Sequence, residues 1–301
     1  MLRPVLVAGV DGSPESLAAA EWAAREALRR ELPLHLVHAS NWSPSPSPSD
    51  PANVVRRHMG RGVLSKVEEH LMRRCPGARL TDELVEGPAT AALLAASECA
   101  ELMVLGSRGL SGFTGFLVGS VAQGVVARAT RPVVLVRAGE EPEDEHRLDQ
   151  DGRPSVRTAY QDVVLGLDLS DPSDEVIGFA FEAARVRGAR LRVIYAWSGP
   201  SLLSLGPGEI GLESAPERAE EWRGFLEAVL QVWREKYPGV DVDETVVEDR
   251  AATHLVYASS GAGLIVVGRR IHEGRVGPHA GPVTHALVHH AHCPVAVVAH
   301  D

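Results

Sequence analysis

The chain repeats itself. VAGVDGS (Val7 to Ser13) recurs as VLGLDLS (Val164 to Ser170), and LHLVHA (Leu34 to Ala39) recurs as LRVIYA (Leu191 to Ala196), both at an offset of 157. Further along, LMVLGSRG (Leu102 to Gly109) returns as LIVVGRRI (Leu264 to Ile271), and RPVVLV (Arg131 to Val136) returns as CPVAVV (Cys293 to Val298), both at an offset of 162. The five added residues fit a longer loop after the second apolar run of the second copy. Self-similarity on this scale requires two copies of one architecture, and 301 residues is the length of two domains of about 150 residues each.

Charge places the boundary between them. Glu140 to Asp151 carries seven acidic side chains and one basic, and it has almost no apolar residues whose burial would offset the entropy of ordering. We therefore expect domains over 1–139 and 159–301 joined by an acidic linker, 140–158. The formal net charge is −10 with pI ≈ 5.7, which removes the usual electrostatic drive toward nucleic acid or anionic lipid. No apolar run approaches the roughly 18 residues of a membrane span, and the opening MLRPVLVAGVDGS does not run on as a signal peptide. The expectation is a cytoplasmic chain with neither nucleic acid nor membrane among its partners. Cys75, Cys99 and Cys293 are too scattered for a disulfide framework or a CxxC motif and read as small buried hydrophobes.

Within the first copy, PVLVAGV, LHLVHA, RLTDELV, LMVLG and PVVLV read as strands. Helical patterns near Pro14–Glu31, Val54–Arg74, Thr90–Cys99 and Ser120–Ala129 alternate with them, the first opening on Ser13 as N-cap and Pro14 at the first helical position. Strands that are almost continuously apolar are covered on both faces, as in a parallel sheet between helices. The fold class is thus α/β, with two doubly wound five-stranded parallel sheets in tandem, and a ligand belongs just past the strand C-termini.

One segment there carries chemistry. GSRGLSGFTGFLVGS holds Gly106, Gly109 and Gly119, with Ser120 opening the next helix. Glycines let backbone N–H groups approach an anion, and a helix start adds unpaired donors. Ser120 would cap that helix and offer its hydroxyl, with Ser107 and Arg108 on the same loop; a glycine-rich surface loop before a capped helix is the plainer alternative. Asp11 ends the first strand. It suits ribose hydroxyls beside a phosphate site, or equally an Asp-Gly turn, and its recurrence as Asp168 favours more than a turn.

On these residues the chain resembles a tandem universal stress protein, the match resting on VAGVDGS, on the G-x2-G-x9-G-S loop from Gly106 to Ser120, and on RPVVLV. The resemblance implies an adenine nucleotide alpha hydrolase-like fold and ATP as ligand, with Mg²⁺ as an optional companion. It implies that Gly106, Gly109, Gly119 and Ser120 hold phosphates, together with Val121 at the start of the helix. It further implies that Asp11 takes the ribose, and that Gly9, Val10 and Ala39 border the adenine. It also implies pairing of the two halves through their last strands, with a homodimer and a further protein partner left open.

The second copy departs from the loop pattern. Ile271 stands where the second glycine would be, and Pro282 replaces the serine, removing a hydroxyl and a backbone N–H; Arg269, Arg270 and His279 are the alternative anion holders. A pairing and regulatory role is expected of this half. His285 and His289, spaced i, i+4 near His290 and His292, read as a solvated or interface face in preference to a metal site, and Ser43–Asp50 as an extended surface loop. The leading function is an ATP-binding cytoplasmic stress regulator. A ligand-free dimerisation module and a slow ATP-hydrolysing enzyme on the same fold are the alternatives.

Overall fold

The computed structural model describes residues 4–40, 51–107, 119–197, 215–271 and 280–301. The first copy runs β1 (Leu6–Gly9), α1 (Pro14–Arg30), β2 (Leu34–Ser40), α2 (Pro51–Arg74), β3 (Leu80–Glu86), α3 (Ala89–Glu98), β4 (Leu102–Ser107), α4 (Ser120–Val126) and β5 (Val133–Arg137). The second repeats it as β6 (Asp162–Gly166), α5 (Asp174–Arg187), β7 (Leu191–Trp197), α6 (Ala215–Lys236), β8 (Val242–Glu248), α7 (Ala251–Ala258), β9 (Ala262–Arg270), α8 (Pro282–His290) and β10 (Val295–His300).

Each copy orders its strands in the doubly wound way, with the first strand between the second and the fourth. Together they form one ten-stranded sheet, β3-β2-β1-β4-β5-β10-β9-β6-β7-β8. All pairs within a copy are parallel. The join is antiparallel: Val133, Val134 and Leu135 of β5 face Val297, Ala296 and Val295 of β10. This pairing gives each copy's otherwise open edge a hydrogen-bonded neighbour.

Side-chain alternation along the strands then feeds two cores. Leu6, Ala8, Leu34, Leu36, Val163 and Leu165 pack on the face covered by α1, α2, α5 and α6, around the fully buried Trp22 and Phe181. Val7, Val37, Met103, Val164, Ile194 and Ile265 pack on the other, under α3, α4, α7 and α8. Both cores run through the join. Among the described residues no helix is long and apolar enough to cross a membrane.

Local chemistry sets the helix starts. Ser13 caps α1, its hydroxyl accepting the Ser16 N–H, with Pro14 first in the helix, as expected. In the second copy Asp171 precedes Pro172, a position that disfavours helical backbone; α5 instead starts at Asp174, one turn later in the repeat, capped by Ser173.

Two expectations fail. The acidic stretch after β5 is ordered: it forms a short 3-10 turn at Pro142–Glu145, and His146 bridges to Tyr160. Its offset is ionic, since Glu145 is 1% exposed and lies 2.7 Å from both Arg25 Nε and Arg29 Nη2 of α1. Cys75 and Cys293 are buried, whereas Cys99, at the C-terminal cap of α3, is exposed because the chain there has left the packed face of the helix.

Candidate functional site

The C-terminal ends of β1, β2 and β4 and the start of α4 enclose a cavity of about 370 Å³, within the roughly 300–1,000 Å³ of small-molecule sites. Gly9, Val10, Asp11, Ala39, Gly106, Gly119, Ser120 and Val121 all line it, so eight positions singled out in the sequence are brought together. Arg108 and Gly109 lie outside the described residues. Ser107 is not at the cavity: it is buried on β4 and donates its hydroxyl to the Val136 carbonyl, 3.3 Å away.

Asp11 has both of the roles its position allows in reach. Its Oδ1 accepts the Ser13 N–H at 2.9 Å and the Ser13 hydroxyl at 2.5 Å, the side chain-to-backbone turn that aspartate favours. Burial works against its charge, but the bonds from Ser13 and Ser16 prevail and hold the carboxyl below its ordinary range. It is therefore a carboxylate with Oδ2 available as an acceptor. The Val10 carbonyl before it is bonded to the His38 ring at 2.7 Å.

The glycines divide by cause. A Cβ on Gly106 would sit 2.6 Å from the Glu15 carbonyl carbon and 2.8 Å from the Ser16 nitrogen, so this glycine is needed where β4 meets the start of α1. Gly9 is likewise hemmed in by Leu105 and Leu93. Gly119 has open space around it and is the residue that backbone access would require. It is also the N-cap of α4; Ser120 is the first helical residue and does not cap, because its own backbone is already helical. Ser13, Glu15, Ser16, Val37, Ala89, Leu93, Leu105 and Ala122 complete the walls. Ser16 was legible as the fourth residue of an S-x-x-S start; Ala89 and Leu93 carry no signal beyond helix amphipathicity.

The second copy forms a cavity of about 760 Å³ at the matching place, bordered by Asp168, Gly268, Gly281 and Pro282. Its alternative anion holders are otherwise engaged. Arg269 is buried and donates to the Ala129 carbonyl across the join. Arg270 pairs with Asp171 at 2.5 Å, and the Ile271 N–H donates to the His300 carbonyl at 2.7 Å. His279, like His272 and Ser43–Asp50, is outside the described residues. The rings of His285 and His289 lie 4.4 Å apart on α8, and among the described residues no three metal-ligating side chains gather.

Comparison with known proteins identifies the family and the fold. The sequence profile of the universal stress protein family matches residues 1–137 and again 159–299. A universal stress protein of Mycobacterium bovis is 33% identical over 303 residues, covering 97% of this chain and 96% of that protein. Another, of Mycobacterium tuberculosis, is 33% identical over 304 residues, covering 97% and 95%. The crystal structure of a universal stress protein from Archaeoglobus fulgidus superposes with a TM-score of 0.71 at 16% identity, covering 98% of each chain, a likeness of fold. With its profile matched twice and full-length relatives of the same kind, this chain belongs to the universal stress protein family, as two such domains in tandem.

Proposed function

We propose that the chain binds ATP in its first-half cavity and acts as a cytoplasmic, nucleotide-responsive regulator of the stress response. The observation that carries the ligand is the placement of the charged Asp11 and of Ser120 on one 370 Å³ cavity. Asp11 Oδ2 accepts ribose hydroxyls. The Ser120 hydroxyl and the first N–H groups of α4, which have no partner within the helix, meet the phosphates. Gly9, Val10 and Ala39 supply small, largely apolar contacts for the purine. Family membership supports the regulatory part.

The test is calorimetric titration of nucleotide-stripped protein with ATP, expected to give one site per chain. Ser120→Pro copies Pro282 of the other half and is tolerated at the first helical position, but removes a hydroxyl and an N–H. Two hydrogen bonds to a charged group at about 1.5–3 kcal/mol each amount to roughly two to four powers of ten in affinity. Asp11→Ala should weaken binding as well. Two equivalent sites, or unchanged affinity in Ser120→Pro, would overturn the proposal.

A further inference from the structure

The second-half cavity differs from the first in size and in walls. It holds about 760 Å³ against about 370 Å³. The late start of α5 at Asp174 leaves one helical turn out of its rim. Its walls are aromatic: Tyr195 and Trp197 of β7 stand where the repeat puts His38 and Ser40 in β2, and Trp222 of α6 joins them. The rings of Tyr195 and Trp222 lie 5.0 Å apart, and the Arg218 guanidinium lies 5.5 Å from the Trp197 ring.

Two polar features are complementary to a ligand. Trp197 is only 7% exposed, and its indole N–H meets no acceptor among the described residues; a buried donor is normally satisfied, and an acceptor on a bound molecule would satisfy this one. Asp168 repeats Asp11, its Oδ1 taking the Ser170 N–H at 2.9 Å and hydroxyl at 2.6 Å, with Oδ2 remaining as an acceptor. Among the described residues, the groups of the loop pattern that would meet phosphates are engaged elsewhere: Arg269 on Ala129, Arg270 at the cavity wall on Asp171, and the Ile271 N–H on His300, and Pro282 has no N–H to give.

We propose that the second-half cavity binds a flat, uncharged heteroaromatic molecule of nucleoside size, packed among Tyr195, Trp197 and Trp222, donating to Asp168 and accepting from the Trp197 indole, and that phosphorylation of such a molecule disfavours it. This goes beyond ATP binding in the first half and stands independently of it. The two halves then respond to different chemical classes.

Adenosine and ATP are the probes, since they share ring and ribose and differ in the phosphates. Nucleotide-stripped full-length protein is titrated with each, following heat and tryptophan fluorescence. Adenosine should quench, and saturating ATP should not displace it. Trp222→Leu and the near-isosteric Asp168→Asn should each weaken adenosine binding by roughly five- to a hundredfold while leaving the ATP isotherm and the melting curve in place. Absence of adenosine binding, adenosine affinity indifferent to both substitutions, or displacement by ATP would overturn the inference. Loss of the ATP isotherm in the parent protein would count against the first-half proposal alone.

Discussion

Arg187 of α5 reaches across the join to Glu26 of α1, its Nη2 2.7 Å from Oε2, with both side chains 1% exposed. Arg29 and Arg30 bond the same carboxylate at 3.0 and 2.7 Å, and the Arg187 guanidinium also lies 5.6 Å from the Trp22 ring. Burial alone would push Glu26 upward, but Arg187, Arg29 and Arg30 together hold it well below the carboxylate range.

Removing one partner of a buried pair costs about 3–5 kcal/mol when the other is left uncompensated; loss of Glu26 does that to Arg187, while loss of Arg187 leaves Glu26 with Arg29 and Arg30. Glu26→Gln should therefore lower unfolding stability by that order in denaturant titration, because three guanidiniums lose their common acceptor, and Arg187→Met should lower it by less, because Arg29 and Arg30 still hold Glu26. The sign with pH follows from a depressed native value. Glu26 stabilises fully above its unfolded value near 4.5, and that contribution drains away as pH falls through the native value. Glu26→Gln should flatten the acid limb of the stability profile; an unchanged limb would contradict the assignment.

Glu140 makes the opposite prediction. Burial, with Asp144 and Glu145 beside it, pushes its carboxyl up from 4.5 to about 8. A raised native value favours the protonated form, so its contribution is complete below about 4.5, declines as pH rises from there, and is gone above about 8. Glu140→Gln keeps the neutral shape at every pH. The variant should gain on the parent steadily between pH 5 and 8 when the two are unfolded side by side, and a constant difference would refute the shift.

Gly106 and Gly119 should part company under the same substitution. Gly106→Ala drives a methyl into the Glu15–Ser16 backbone, overpacking that costs about 1–3 kcal/mol; it should lower the melting temperature and disturb ATP binding through the fold. Gly119→Ala meets open space, so its melting curve should move little while ATP affinity drops. Equal thermal effects from both would mean that the crowding at Gly106 relaxes.

What could be read in the sequence was whatever depends on neighbours along the chain. Apolar runs located the five strands of the first half and, through the repeat, β6, β7, β9 and β10 of the second, while β8 (Val242–Glu248), half-polar as VDETVVE, does not stand out; Ser13 and Pro14 located the start of α1, and the paired offsets gave the tandem architecture. What escaped depends on partners far away in sequence. Glu145 looked unable to order its segment because the arginines that hold it are about 120 residues earlier. Gly106 lines the cavity as its place in the loop suggests, but the second demand for a glycine there, the Glu15 backbone it accommodates, is invisible until α1 docks on β4. Arg269 looked free to hold an anion until the join set it against Ala129. The start of α5 was the exception, a local effect of Pro172 that could have been anticipated.

The antiparallel meeting of β5 and β10 reverses the direction of every strand from one half to the other, so the two cavities open on opposite ends of the sheet. A pair assembled from identical chains must carry each substitution twice, once in either pocket. Covalent fusion releases that constraint: this chain has proline at 282 and tryptophan at 197 where the repeat has serine at 120 and 40. The shared seam joins the halves in one sheet, and within it the two pockets are free to differ in volume and in walls.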